Sequence, residues 1–441
     1  MAGGIFALPR VDRRRDDWSV RSLRSILRSR SERNRPELPL LTVARERGVF
    51  VRSVDDANHN SIPDDLSNYK VARAGDLVIN KMKAWQGSLG LAPIDGIVSP
   101  AYFVFHADFA VPQFGEYLLR SKPYVAKFGA ASDGVRIGQW DLNIPRMRSI
   151  EVYLPPADEQ AAIVKYLAHA NARIDKAIAA KRRLVSLIEE QGNTHRAMLL
   201  SELGSPQRLA TTLWEGPTNG VSPEVSQSGN LKTFSISVVR NGVVDVRESD
   251  VKYVDHSDVP NVAKYELRTG DVLMVRGNGN IKLVGRAALV SADIPDYIYP
   301  DLLMRLRFRP NVDPSFMVAV LNSPWVRAQI ENKARTAVGS YKLSGADIRG
   351  LRVSVPEFRI QRRIVHELDE FNATGSQIVD RLEAEVTLLQ EFRARLVADV
   401  VTGQVDVRGI AATLPDTLKS LENSISEFDD DLEEALSEGE E

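Results

Sequence analysis

The stretch NKMKAWQGS, residues 80–88, places Asn80, Lys81, Lys83, Trp85 and Gln86 within a few positions of one another. Such residue types suit nucleic acid. A side-chain amide offers a donor beside an acceptor, which matches the major-groove edge of adenine, and a guanidinium fork matches guanine. Lysine and arginine also meet phosphates, which position a protein without specifying sequence. Three further stretches have the same character. SDGVRIGQW (132–140) carries Arg136 and Gln139, RGNGNIK (276–282) carries Arg276, Asn278, Asn280 and Lys282, and KARTAVGSYK (333–342) carries Lys333, Arg335, Tyr341 and Lys342. Each contains glycine, which lets a backbone come close to a ligand. Trp85 and Trp140 are read as core residues, with the bases around them facing solvent or DNA.

Other chemistries find less support. Gly277-Asn-Gly279 follows a strand-like run, but no helix start follows it, as a dinucleotide site would require. Asp250 and Lys252 form a lone Asp-x-Lys triplet without a clear upstream carboxylate to share a metal, so a nuclease is the weaker alternative. The six histidines, at 59, 106, 169, 195, 256 and 366, show no metal-ligand spacing. With no cysteine there is no disulfide, thiolate zinc site or cysteine nucleophile, which fits a reducing cytoplasm. No apolar run approaches the ~20 residues that span a bilayer, and the first residues lack the order of a signal peptide. A cytoplasmic protein without membrane contact is expected.

The net charge of −2 conceals an asymmetry: Glu427–Glu441 holds nine acids and no base, so the rest of the chain is net basic. The first 35 residues carry ten arginines against four acids. A basic surface is the electrostatic footprint of a nucleic-acid binder, although a solvated charged face accounts for these counts on their own.

The elements that must position these residues occur twice. GDLVINKMKAWQGSLGLA (75–92) has a counterpart in GDVLMVRGNGNIKLVGRAAL (270–289), each reading as a Gly-Asp turn, a strand, a polar loop and a second strand. GIVSPAYFVF (96–105) pairs with DYIYPDLLMRLRF (296–308). IEVYLPPADEQ (150–160) pairs with LRVSVPEFRIQ (351–361), a short strand leading into proline and a helix. The offset drifts from 195 residues at Gly75 and Gly270 to 201 at Gln160 and Gln361, as two copies with divergent loops would produce. Beyond each entry, apolar residues recur at steps of three and four. The first series is Ile163, Leu167, Ala170, Ile174, Ala177 or Ile178, Leu184 and Ile188. The second is Ile364, Leu368, Phe371, Ile378, Leu382, Val386, Leu389, Phe392 and Leu396. These predict long helices over about 157–200 and 358–402, each with one apolar seam that it cannot bury alone. Lys181 and Gly375 interrupt the seams.

This ordered repeat resembles the specificity subunit of type I restriction–modification systems. The helix-entry signature of that family is present as Pro155, Pro156, Glu159, Gln160 and Ile163. The second copy keeps Pro356 and Gln361 but has Arg359 and Ile360 where the acid would lie. LVADVVTGQVDVR (396–408) resembles the family's close of the second helix, and the likeness covers residues from about 17 to 408. The resemblance implies a mixed α/β fold with two repeated target-recognition domains, each followed by a long helix, the helices pairing as an antiparallel coiled coil. Expected boundaries are 1–154 and 204–355 for the recognition domains, 155–203 and 356–408 for the helices, and 409–441 for an acidic, disordered tail. It further implies a non-catalytic subunit that binds double-stranded DNA at a bipartite site. Two modification subunits would dock around Pro155, Pro156, Glu159, Gln160, Pro356 and Gln361. S-adenosylmethionine would sit on those partners, and ATP with Mg on restriction subunits that translocate and cleave, leaving no cofactor on this chain. The alternative is a coiled-coil scaffold without DNA contact, which explains the helices but not the amide-rich loops.

Overall fold

The Gly-Asp pairs open the central strand of each repeat. Gly75 and Gly270 have φ of +82° and +90°, a conformation that only glycine adopts cheaply. Asp76 and Asp271 then turn their carboxylates back to accept the backbone N–H of Arg73 and Arg268, both at 2.9 Å. Both carboxylates are buried, and each is held by an arginine: Arg30 Nε lies 2.5 Å from Asp76 and Arg307 Nε 2.6 Å from Asp271. These arginines come from unrelated positions, one at the end of the strand Leu27–Ser29 and the other on the strand Leu303–Phe308. The pairing is a tertiary solution reached twice.

In this computed structural model, which describes residues 17–52, 65–134, 140–201, 203–226, 229–337 and 339–416, the strands Leu77–Asn80 and Val272–Val275 are buried along their whole length. Each lies between two antiparallel neighbours. The order Leu27–Ser29, Tyr102–Ala107, Leu77–Asn80, Leu89–Leu91 in the first sheet is matched by Leu213–Asn219, Leu303–Phe308, Val272–Val275, Ala287–Leu289 in the second. The second sheet continues into two short strands, Val243–Val244 and Val239–Arg240. Two helices with proline in their first turn follow in each copy, Pro112–Arg120 and Lys122–Ala130 in one, Pro314–Leu321 and Pro324–Lys333 in the other. After two short strands comes a one-turn helix, capped by the side chain of Asn143 before Ile144–Arg148 and of Ser344 before Gly345–Arg349. A short strand then leads into a long helix, Ala157–Ser201 or Phe358–Val401.

The chain divides into two compact units, Met1–Lys181 with Ala384–Glu441, and Arg182–Glu383. Both long helices contribute to both units. The first unit's core joins Leu23, Ile26, Phe105 and Phe128 to Ile163 and Leu167 of the first long helix, and to Leu396, Val400, Val401, Val405 and Val407 near the far end of the chain. In the second, Phe316, Met317, Ile330 and Ile348 pack with Ile364 and Leu368, while Leu199, Leu200 and Leu203 flank them.

Within each unit the long helices pack antiparallel. In the first unit Asp175 pairs with Arg393 and Lys181 with Glu385. In the second, Ile188 faces Gly375, and His195 stacks on Phe371 with ring centroids 4.5 Å apart. The two apparent interruptions thus have partners: Lys181 meets a carboxylate, and Gly375 lies beside Ile188 at a distance where even a Cβ would make only ordinary contact. Burial along the seams is uneven. Ile163, Leu167, Ile174, Ile178, Ile364, Leu368 and Leu396 are buried, whereas Leu184 and Ile378 are each 45% exposed. A pair of helices covers only one side of each seam, and full burial at the outer ends needs the recognition domain as well.

Candidate nucleic-acid interface

One backbone hydrogen bond is built twice. Leu142 N–H donates to Lys81 O at 3.0 Å, and Leu343 N–H donates to Arg276 O at 2.9 Å. The bond ties the loop after the central strand to the loop before the one-turn helix, so the two candidate stretches of each copy meet. In the first unit the hairpin Ser132–Asp133 with Asp141–Leu142 lies beside Lys81. Arg136 and Gln139, which fall between these strands in sequence, lie outside the described residues. In the second unit Gly277–Asn278 pairs with Ser340–Lys342, which pairs in turn with Arg335–Ala337, making a three-stranded sheet. Asn278 stands opposite Tyr341 and Gly277 opposite Lys342.

The cations differ in how far they are committed. Lys81 Nζ is 2.8 Å from Asp141. Lys83, Lys282 and Lys342 are exposed, and no ion pair holds them among the described residues. Lys333 is half-buried. Arg276 is half-buried too, its guanidinium resting 3.3 Å from Leu343 O and 3.4 Å from Asp301 O. It braces the junction between loops 67 and 25 residues distant in sequence, and nothing local in the sequence signals this. For Arg335 the structure describes the backbone strand only.

Trp85 and Trp140 are not core residues. Both are half-buried and lie against each other, centroids 5.2 Å apart, while Trp85 Nε1–H donates to Met82 O at 3.1 Å. They form a platform beneath a loop whose exposed tip, Met82, the residue types alone did not single out. Gln86 is half-buried in the turn below it.

The asparagines share a habit. Asn80 Oδ1 accepts from Met82 N at 3.2 Å, Asn278 Oδ1 from Asn280 N at 2.9 Å, and Asn280 Oδ1 from Lys282 N at 3.0 Å. Each carbonyl closes a turn on the backbone two residues ahead. Asn80 is also buried, which leaves it a structural role in this loop. Asn278 and Asn280 each keep a second lone pair on that oxygen, so both still carry a donor and an acceptor beside the turn.

The residues expected to dock partners are mostly turned inward. Gln160 and Gln361 are 3% and 1% exposed. Gln160 donates to Pro155 O at 2.9 Å and accepts from Val111 N at 3.1 Å; Gln361 donates to Pro356 O at 2.8 Å and accepts from Asp313 N at 2.8 Å. Glu159 is buried and receives Trp18 Nε1–H at 3.4 Å. Pro155 is buried, Pro356 half-buried and Pro156 exposed. The signature thus fixes the start of each long helix to the recognition domain that precedes it, and Pro156 is the residue of the signature that stays exposed.

Among the described residues the rival chemistries find no constellation. Asp250 is clamped by Arg240, with Nη1 2.7 Å from Oδ2 and Nη2 2.9 Å from Oδ1, and Ser237 donates to it at 2.6 Å. The Arg240 guanidinium holds this carboxyl well below the usual range. Both oxygens are occupied, so a metal would find neither free. Among the described residues no group of three or more His, Asp or Glu could hold a metal, and no helix is long and apolar enough to cross a membrane.

Comparison with known proteins completes the picture. No family model matches the chain. It is 24% identical over 351 residues to the type I restriction enzyme EcoKI specificity subunit of Escherichia coli K12, covering 75% of this chain and 71% of that protein. It is 22% identical over 310 residues to the StySPI specificity subunit of Salmonella potsdam, covering 67% and 66%. Its fold is shared, at a TM-score of 0.66 and 16% identity over 90% of this chain and the whole of the other, with a chain solved in a study of complex assembly and conformational transition of the type I R-M system. The repeated turns, sheets and paired helices are thus those of a known architecture, and the curated relatives that this chain matches along most of its length are specificity subunits of type I restriction enzymes.

Proposed function

We propose that this chain is the DNA-recognition subunit of a type I restriction–modification complex and works in the cytoplasm without catalysing a reaction itself. Each unit reads one half of a bipartite site on double-stranded DNA, and the paired helices set the distance between the halves. The observation that carries this reading is the doubled hydrogen bond at Lys81 and Arg276. It gives two copies of one scaffold on which unlike loops meet, as recognition of two unlike half-sites would need. Lys83, Lys282 and Lys342, exposed beside those loops, suit phosphates. Two similar units suit two copies of one partner. These would be modification subunits that bring S-adenosylmethionine, and restriction subunits would add ATP and Mg.

The test uses the full chain with and without its modification subunit. Methylation-aware sequencing of the host genome should show a bipartite motif that vanishes when the gene is deleted. The purified chain alone should transfer no methyl group to DNA, and the saturated complex should have the mass of one chain with two modification subunits. Methyl transfer by the lone chain, or no effect of deletion on the methylome, overturns the proposal.

A further inference from the structure

Two cations of the first unit face each other. Arg33 and Lys70 stand directly opposite across an antiparallel bridge. Side chains so placed project to one side with Cβ atoms about 5 Å apart, and like charges there are destabilising. Lys70 Nζ donates to Tyr102 O at 2.5 Å, and Tyr102 is opposite Asn80, where the strand Leu77–Asn80 runs into the loop with Lys81. Burial lowers the Lys70 ammonium below the ordinary lysine value, and Arg33 and then Lys81 lower it further. The charged groups that act on it are thus both cations. Glu32, next to Arg33 in the chain, binds Arg73 at 2.7 Å, and Asp141 binds Lys81 at 2.8 Å. Arg33 is exposed, and no ion pair holds it among the described residues. An ammonium has three N–H donors, and the bond to Tyr102 uses one.

We infer that Arg33 and Lys70 together hold one phosphate of the DNA backbone beside the half-site read by the first unit. This rests on the proposed DNA-recognition function and adds a contact to it. Two like charges face to face cost stability in the free chain, and an anion between them turns that repulsion into attraction. The pair lies at the end of the sheet where the loop 80–88 begins, so a backbone phosphate next to the bases under that loop comes within its reach. The contact positions the duplex without reading it. It also gives work to one arginine of the basic first stretch of the chain.

The test reads stability and affinity in opposite directions. Arg33→Ala removes the repulsion, so the free variant should melt at or above the wild-type temperature. Its complex with the modification subunit should keep the wild-type mass. Titrated onto the motif over a range of salt, the complexes of Arg33→Ala and Lys70→Met should each bind roughly three- to tenfold more weakly at low salt. Each should lower the salt slope by about one, and Arg33→Lys should restore both quantities. The first unit's half of the motif is the one left intact when residues 204–355 are exchanged. Among duplexes with a single neutral methylphosphonate around that half, one should weaken the wild type and leave Arg33→Ala unchanged. An unchanged slope for Arg33→Ala, the lack of any such position, or a melt below that of the wild type overturns the inference. So does loss of the modification subunit from Arg33→Ala, which would make a partner's carboxylate the anion. Inorganic phosphate, set against chloride of equal ionic strength, should stabilise wild type and Arg33→Ala alike; a gain for the wild type alone, with equal DNA slopes, would assign the pair to a free anion and overturn the inference too. Failure of the wild type to prefer its motif over a scrambled duplex would instead overturn the underlying reading, and the inference with it.

Discussion

Gln160 and Gln361 stand 201 residues apart and make the same two hydrogen bonds. Each donates to the proline carbonyl five residues earlier, and each accepts a backbone N–H at the start of a helix in its own unit. The long helix is thereby locked to its recognition domain in both copies. Gln361 also donates to Asn311 O at 3.1 Å, so Gln361→Leu should leave Asp313 N–H and the carbonyls of Pro356 and Asn311 without this partner, at a cost of about 1–3 kcal/mol. Denaturant melts of the variant, followed by a probe in the second unit, check this. An unchanged midpoint would show that water replaces the amide.

Helix pairing makes a graded prediction. Ile174 is buried, so Ile174→Asp should cost at least ~2 kcal/mol, since a charge would be placed where none is paired. Leu184 lies on the same seam but is largely exposed, and Leu184→Asp should cost less than ~0.5 kcal/mol. Thermal melts of the two variants should rank in that order.

The lysines should separate by their partners. Lys342 has no ion pair among the described residues, and Lys342→Ala should weaken binding evenly across sequences and reduce the salt slope by about one. Lys81 is already paired with Asp141, so Lys81→Ala should change the slope less. Titrations over a range of salt decide this, and equal slopes for both variants would show that DNA displaces Asp141.

Exchange of residues 204–355 for the matching segment of another specificity subunit should alter one half of the methylated motif and leave the other intact. The shared framework hydrogen bonds at Lys81 and Arg276 are the reason to expect a transplanted segment to seat itself. Changes in both halves would mean that the units do not read independently.

The framework was largely legible in the sequence because its marks are local. Gly75 and Gly270 announce a turn, Pro155 and Pro356 a helix entry, and a spacing of three and four announces the seams. The candidate site was less legible because its state depends on distant atoms. Nothing near Arg276 shows that Leu343 and Asp301 will hold it, and Trp85 could not reveal that it would lie on Trp140 and not in a core. The inward setting of the glutamines was hidden for the same reason: nothing near Gln160 shows that Val111 N–H will donate to it. The expected disordered tail is ordered at its start: Arg408–Thr413 is a helix, Ala411 is buried in the first unit's core, and Lys165 Nζ lies 2.7 Å from Asp416; the stretch from 417 on and the loop with Arg136 and Gln139 fall outside the described residues.

The composition of the first unit's core bears on the order of events during synthesis. Arg182–Glu383 is one unbroken stretch and has all its parts once residue 383 has left the ribosome. The other unit does not: Leu396, Val400, Val401, Val405 and Val407 pack beside Leu23 and Phe128, and Trp18 lies against the position of Gly403. Its apolar face therefore stands open for roughly 200 residues of further translation, on the order of 10–40 s at cellular rates. The half that is made first is the half that closes last, and during that interval it is the part of the nascent chain most in need of a chaperone.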